Sequence, residues 1–215
     1  MLKNHSQVKS LSHFQAGLFL RNYELLGNSG LGVWNWGLFE NNNLTSVVSY
    51  GVPNFSQKRG FISDIGRRTG VKIFQLCRGA SSEFAHPHAS SYLVSVASHL
   101  IYKWKGPMII VAYANPILGE IGTIYQACNA IYTGLTNPKG QANYLIYGQK
   151  RSGWVVRKKY KTRSLAKLRN LDPNVEVYRL MPKHRYVFLA CSKLKKQQIA
   201  KLFDAYVLPY PKRHV

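Results

Sequence analysis

The apolar positions along the chain change period several times, and the changes mark its elements. Over residues 11–26, Leu11, Phe14, Leu18, Tyr23 and Leu25 recur at roughly helical spacing and Gly27 supplies a stop, so a first helix is expected there. From Gly32 to Pro53 two aromatic or β-branched runs flank Glu40 and three asparagines, the pattern of a β-hairpin. A polar, Gly-rich segment at 54–70 leads to VKIFQLCR (71–78), which reads as a strand. After a loop from Gly79 to Ala89 comes a strongly periodic helix with Leu93, Val94, Ala97, Leu100, Ile101 and Trp104 on one face and Ser90 and Ser91 as candidate caps. MIIVAYAN (108–115) reads as a buried strand. A short helix near Thr123–Asn129 and strands near Ala130–Leu135 and Ala142–Tyr147 follow. HRYVFLAC (184–191) is a last strand, and in the segment after it Leu194, Ile199, Leu202 and Phe203 form an apolar stripe against a lysine face. The expected fold class is mixed α/β.

Composition adds a partner to this picture. With 46% apolar and 13% aromatic residues, a chain of 215 residues can bury one main core. Thirty Lys and Arg against eight Asp and Glu give a net charge of +22, far beyond what solubility requires, and a polyanion is the natural partner. No acid falls between Glu120 and Asp172, and Lys150 to Arg169 holds nine Lys or Arg residues interleaved with Trp154, Val155, Val156 and Tyr160. Lys150, Arg151, Arg157, Lys158, Lys159, Lys161 and Arg163, with Lys183 and Arg185 beyond the run, are candidates to neutralise phosphates. Trp154 and Tyr160 offer faces on which bases can stack. A solvated charged face is the alternative. This reading divides the chain into a main domain over 1–148 and a basic extension over 149–215 packed on it. The cysteines Cys77, Cys128 and Cys191 form no CxxC pair, which argues against a disulfide framework and a zinc ribbon and for a reducing compartment. The longest apolar run, Met108 to Ala114, is too short to span a bilayer, and the N-terminus mixes Lys3, His5 and Lys9. A soluble cytoplasmic protein with no membrane partner is expected.

The order hairpin, strand, loop, helix, strand, short helix, strand resembles that of the GNAT N-acyltransferase fold, whose members use acetyl-coenzyme A. IYQACNAIYTG (124–134) is similar to that superfamily's late motif, and Tyr125 takes the place of its general acid, a phenol that protonates the leaving thiolate. A core tyrosine is the alternative. The loop and helix start at His86–Tyr92 suit a pyrophosphate, because unpaired amides and the dipole of a helix N-terminus attract phosphate oxygens. An ordinary serine cap is the alternative, since the segment lacks the superfamily's QxxGxG form. The candidate coenzyme contacts are Leu76, Cys77, His88, Ser90, Ser91, Tyr92 and Asn129. His86 and His88 form an HxH pair that reads as loop or as a metal site.

YANPILGEIGTIYQACNAIYTG (113–134) resembles the stretch YADxxxGHxGxIYxAxNWxYxG of the Mom family of bacteriophage DNA-modification proteins. The matches are Tyr113, Ala114, Gly119, Gly122, Ile124, Tyr125, Ala127, Asn129, Tyr132 and Gly134. Leu76, Cys77 and Arg78 are similar to the family's LSR, and Ser91, Leu93, Val94 and Ser95 to the start of its next helix. SYGVP (49–53), KHRY (183–186) and PYPK (209–212) extend the resemblance over most of the chain, densely between 71 and 134. It implies a GNAT-like central twisted mixed sheet flanked by helices. It also implies that the exocyclic amine of adenine in double-stranded DNA receives a carbamoylmethyl group derived from acetyl-CoA, protecting phage DNA from restriction in the host cytoplasm. Tyr125, Asn115 and Arg78 would line the reaction centre, with Tyr23 and Ser91 as secondary choices. The family's proposed iron dependence is in doubt, because Asn115 replaces an Asp, Glu120 a His, and Asn22 a His before Tyr23, and Asn cannot act as a base. The metal is therefore unknown, and the oligomeric state is open, a homodimer included. A conventional N-acetyltransferase acting on RNA or another amine, and a DNA-binding protein that has lost catalysis, are the alternatives.

Overall fold

A computed structural model describes residues 6–25, 27, 30, 32–55, 57–137 and 140–213. Lys3 and His5, and Leu26 at the end of the expected first helix, lie outside the described residues. In chain order the elements are β1 (Ser6–Leu11), α1 (His13–Tyr23), β2 (Trp34–Glu40), β3 (Asn43–Gly51), α2 (Phe61–Thr69) and β4 (Lys72–Ser81). Then come α3 (Ala89–Lys105), β5 (Met108–Ala114), α4 (Thr123–Ala127), β6 (Ile131–Leu135), β7 (Gln141–Ile146), β8 (Gln149–Ser152) and α5 (Gly153–Tyr160). The last are α6 (Leu165–Arg169), β9 (Glu176–Leu180), β10 (His184–Ala190) and α7 (Lys193–Lys201). The chain divides into two compact units. The first comprises Met1–Tyr113, Gly122–Gly134 and Arg185–Val215, and the second Ala114–Ile121 and Leu135–His184.

The first unit is built on a seven-stranded sheet in the order β1-β2-β3-β4-β5-β10-β6. Its first helix starts later than the apolar spacing suggests, because Leu11 pairs with Asn35 in the sheet and Ser12 then caps α1. The cap is reciprocal: the Ser12 hydroxyl accepts from the Gln15 amide at 3.2 Å and the Gln15 side chain accepts from the Ser12 amide at 3.0 Å. The hairpin β2–β3 forms as expected, with Asn41 and Asn42 at φ 48° and 66°, the left-handed pair that matches the twist of adjoining strands. Helix α2 lies where the sequence suggests only a polar loop. Its Gly-rich composition hides two apolar anchors, Ile62 and Ile65, both buried. On α3 the expected face is largely buried through Leu93, Val94, Ala97 and Ile101, but Trp104 is 59% exposed, under the Lys105 ammonium at 3.5 Å from its ring. Ser90 and Ser91 are not the caps of this helix: His88 occupies the N-cap position and no side chain caps it. Ser90 instead continues a hydroxyl chain from Ser46 through Ser81, each link 2.7 Å, that ties the helix start to β4.

The second unit carries a three-stranded antiparallel sheet in the order β8-β7-β9. Its own core is Tyr144, Ile146, Val156, Leu168 and Val175. Its buried acid, Asp172, accepts from the amides of Tyr147 at 2.6 Å and Asn174 at 3.0 Å, which closes the turn after α6. The expected C-terminal extension over 149–215 is thus divided differently in space. The basic run joins β7 and β9, whereas β10 and α7 return to the first unit. The reason is the apolar run of β10, which is buried from Tyr186 to Ala190 and fills the position between β5 and β6.

Candidate active site

Strands β4 and β5 run parallel and pair only from Lys72↔Met108 to Gln75↔Val111. Both continue beyond that point, β4 to Ser81 and β5 to Ala114, without pairing to each other, so the two strands part at their C-terminal ends. At the same place the register between β3 and β4 passes from Ser49↔Arg78 to Tyr50↔Leu76, which makes Cys77 the extra residue of a bulge. Leu76 is buried, and the half-buried Cys77 thiol is pushed up by burial, with Arg78 pulling it back only in part. Its sulfur donates to the Gln75 carbonyl at 3.5 Å. A thiol so held stays protonated near neutral pH and is unsuited to nucleophilic attack. The loop after β4 delivers α3, whose first-turn amides have no intrahelical partner. Here the His88 amide donates to His86 Nδ1 at 3.1 Å, the Ser91 hydroxyl donates to the His88 carbonyl at 3.1 Å, and Tyr92 joins the helical ladder through His88.

Tyr125 lies on α4 within an aromatic cluster. Its ring is 5.3 Å from that of Tyr186 and 5.8 Å from that of Phe188. Tyr186 is fully buried, and Tyr132 and Tyr210 surround it at 5.1 and 6.3 Å. Gln126 donates to the Tyr186 hydroxyl at 3.2 Å and to the Pro211 carbonyl at 3.4 Å. Desolvation raises the Tyr50, Tyr132, Tyr186 and Tyr210 phenols, and pushes Tyr113 up to about 12. These five phenols therefore stay protonated near neutral pH, proton donors rather than phenolates. Beyond α4, the Cys128 thiol donates to the Ser91 carbonyl at 3.3 Å and accepts from the Ser95 hydroxyl at 3.4 Å, so α4 is fastened directly to the first turns of α3. Asn129 follows, exposed and left-handed at φ 53°.

The other candidates fall in separate surroundings. Arg78 pairs with Glu24 at 3.6 Å, and Glu24 is the residue next to Tyr23, whose ring packs tilted against that of Phe19 at 4.6 Å. Arg78 and Tyr23 thus belong to one neighbourhood. Asn115 is in the second unit, where its side chain accepts from the Ile117 amide at 3.3 Å and its own amide donates to Glu120 at 2.7 Å. Two of the three positions that depart from the Mom pattern, Asn115 and Glu120, are bonded to each other, and the Asn115 amide oxygen is engaged as a turn cap. Arg185 is held in the first unit by Thr133, through Nε to the hydroxyl at 2.9 Å and a terminal nitrogen to the carbonyl at 3.0 Å, and lies over Phe61 at 4.8 Å. That half-buried anchoring is unlike the free surface cation expected for phosphate contact. Within the second unit Lys150, Trp154, Arg157, Lys158, Lys159 and Lys161 are exposed, with the Lys158 ammonium 5.2 Å over Trp154. Arg151 is bonded to Gln149, Arg163 donates to the Gly153 carbonyl at 2.7 Å, and Lys183 is exposed. Among the described residues no three His, Cys, Asp or Glu side chains come together as metal ligands, so the residues present do not fit an iron centre. Sequence reasoning missed Tyr50, Ser95, Cys128 and Gln126, whose proximity arises only when α3 and α4 meet. For Tyr186 the KHRY segment was the available signal.

The family model for the Mom protein family matches residues 9–212. No curated protein matches the chain in sequence. Among solved structures, the spermidine/spermine N-acetyltransferase of Vibrio cholerae in complex with manganese ions superposes with a TM-score of 0.51 at 9% identity, covering 91% of this chain and 99% of that one. NAA60 of Arabidopsis thaliana in complex with acetyl-CoA gives 0.49 at 8% identity over 86% and 98%. A GNAT-family acetyltransferase of Bacillus anthracis gives 0.45 at 7% identity over 87% and 96%. The fold is GNAT-like. No helix among the described residues is long and apolar enough to cross a membrane.

Proposed function

Because this chain belongs to the Mom protein family, we propose that it modifies the exocyclic amine of adenine in double-stranded DNA with a group derived from acetyl-CoA. The carbamoylmethyl group that shields phage DNA from restriction in the family carries an amide nitrogen that the acetyl group of acetyl-CoA does not hold, so it needs a nitrogen donor besides the acyl group. The observation that carries the reading is the parting of β4 and β5 beside the start of α3, where the unpaired strand ends would take the pantetheine arm and the helix-start amides the pyrophosphate. Acetyl-CoA brings the activated carbonyl, and the chain's own groups do the rest. The bulge at Cys77 interrupts the ladder between β3 and β4, and a backbone amide freed there would serve as a donor to the thioester oxygen. Tyr125, packed on Tyr186 and Phe188, would supply a phenolic proton to the sulfur of the leaving coenzyme.

Adenine's exocyclic lone pair is delocalised into the ring, and inside a duplex the amine is also stacked and paired, so the target base has to leave the helix before reaction. Exposed Lys158 and Lys159 and the Trp154 face support this partner, since they offer cations for phosphates and an aromatic surface for a base. Arg78, paired with Glu24 beside Tyr23, is assigned to orienting the acceptor.

The test is mass spectrometry of nucleosides from plasmid DNA in cells expressing the wild type or Tyr125→Phe. A mass-shifted deoxyadenosine in the wild type, reduced on the order of a hundredfold in the variant, is the expected outcome. Unmodified deoxyadenosine despite soluble, folded wild-type protein would overturn the proposal.

A further inference from the structure

Arg185 is half-buried, fixed to Thr133 through Nε and one terminal nitrogen, and paired with no carboxylate among the described residues. Its other terminal nitrogen donates to no described residue. Burial lowers its pKa, and only the Tyr113 and Tyr132 phenols act in the other direction. A half-desolvated cation without a counter-charge costs stability, and an incoming anion removes that cost. Tyr113, on the neighbouring strand β5, is near enough for this cation to pull on its phenol. It is half-buried too, and its hydroxyl makes no hydrogen bond to a described residue. Phe61 lies under the guanidinium at 4.8 Å and is itself stacked on Tyr206 at 4.1 Å, so the fork is held in place from below. An anchored guanidinium and a protonated phenol, both with donors to spare and no acid between them, make a receptor for an oxyanion. The planar fork matches phosphate oxygens.

Side chains of neighbouring residues leave opposite faces of a strand. Tyr186 packs against Tyr125 of α4, which Cys128 fastens to α3, whereas Arg185 lies over Phe61 at the start of α2. The receptor is therefore on the face of the sheet away from α3, the helix to whose start the coenzyme pyrophosphate is assigned. We propose that Arg185 and Tyr113 hold a phosphodiester of the DNA acceptor, beside the nucleotide whose adenine leaves the helix. The proposal rests on the DNA reading above, and the net charge of +22 favours that partner. A phosphate fixed here keeps the extruded base in register with the acyl donor. A phosphate of coenzyme A is the other source of the same chemistry, and the test separates the two.

Fluorescence anisotropy of the purified full chain uses a labelled duplex with one unpaired adenine, in two forms. One is all phosphodiester, and the other carries uncharged methylphosphonates at the two linkages flanking that adenine. Wild type is compared with Arg185→Gln, whose folding a circular dichroism melt checks. The methylphosphonates are expected to weaken wild-type binding about tenfold, the worth of a charge-assisted contact, and to cost the variant little, because its contact is already gone. Equal sensitivity of wild type and folded variant, or a wild type that binds both duplexes alike, would overturn the proposal and leave the DNA reading intact. No binding of either duplex by the wild type would remove both. Isothermal titration with coenzyme A should show the same affinity in wild type and variant; a loss there with duplex binding unchanged would give the phosphate to the coenzyme instead. Should Arg185→Gln fail to fold, Tyr113→Phe takes its place, since it removes one hydroxyl and keeps the ring. About threefold weaker binding of the phosphodiester duplex alone is then expected, and no change would sink the receptor.

Discussion

Gly122 shows how much one position can fix. Its φ of 75° is left-handed, and a Cβ there would collide with the Tyr186 ring, so α4 can start at this point only on glycine. Gly122→Ala is expected to destabilise the protein by about 1–3 kcal/mol and to displace Tyr125 with its helix, read as a lower Tm together with reduced modification of DNA. Arg78 carries a second prediction. Replacing it with Gln removes the ion pair with Glu24, whose side chain is 13% exposed, and is expected to cost about 1–3 kcal/mol by urea denaturation; Arg78→Lys restores part of that. Both positions were legible beforehand, Gly122 and Tyr125 through a dense local motif and Arg78 through its place at a strand end. Asn115 was legible as a departure from that motif, but its bond to Glu120 was not, since spacing does not reveal which side chain a turn will bring back onto its own backbone.

Among the elements, the segment after α7 does more than end the chain. Leu208 donates its amide to the Tyr132 carbonyl, Tyr210 donates its hydroxyl to the Ala130 carbonyl at 2.7 Å, and Pro211 accepts from Gln126. These contacts cover the outer edge of β6 and brace α4 from behind. Tyr210→Phe is expected to cost about 1 kcal/mol in chemical denaturation, the net worth of the lost hydrogen bond, with the ring packing on Tyr186 retained. The PYPK segment stood out in the sequence, yet its task became visible only with β6 as its partner. Helix α2 and strand β9 were missed for opposite reasons. Helix α2 is periodic, with Ile62 and Ile65 at helical spacing, but spans only nine residues of a polar segment between Gly60 and Gly70, whereas β9 is an edge strand whose residues are mostly exposed and shows no clean period.

The whole molecule answers to pH and salt. Tyr50, Tyr113, Tyr132, Tyr186 and Tyr210 all have phenols raised by desolvation above the ordinary value of 10.0, Tyr113 to about 12. Their contribution to stability is complete below pH 10 and is lost as pH rises from there through about 12, because the unfolded chain releases these protons first. Circular dichroism melts across that range should show Tm falling steeply, and less steeply for Tyr113→Phe. In DNA binding, log affinity should fall linearly with log salt, and Lys158→Gln with Lys159→Gln should reduce the slope by roughly one for each phosphate no longer neutralised. A slope unchanged in the double variant would take the basic run out of the interface.

Periodicity, charge and a dense local motif were enough to establish by sequence alone the mixed α/β class, the hairpin, the strand–helix–strand unit, the basic run and the short helix that carries Tyr125, because each depends on residues close together in the chain. The tertiary structure alone decided that β10 completes the first sheet while the basic run folds with β7 and β9. It also decided that β4 and β5 part after four pairs and that Arg185 comes to rest on Thr133 and over Phe61. Those features join segments far apart in sequence, and long-range packing is settled by which apolar surfaces can be buried together, a property no local period records.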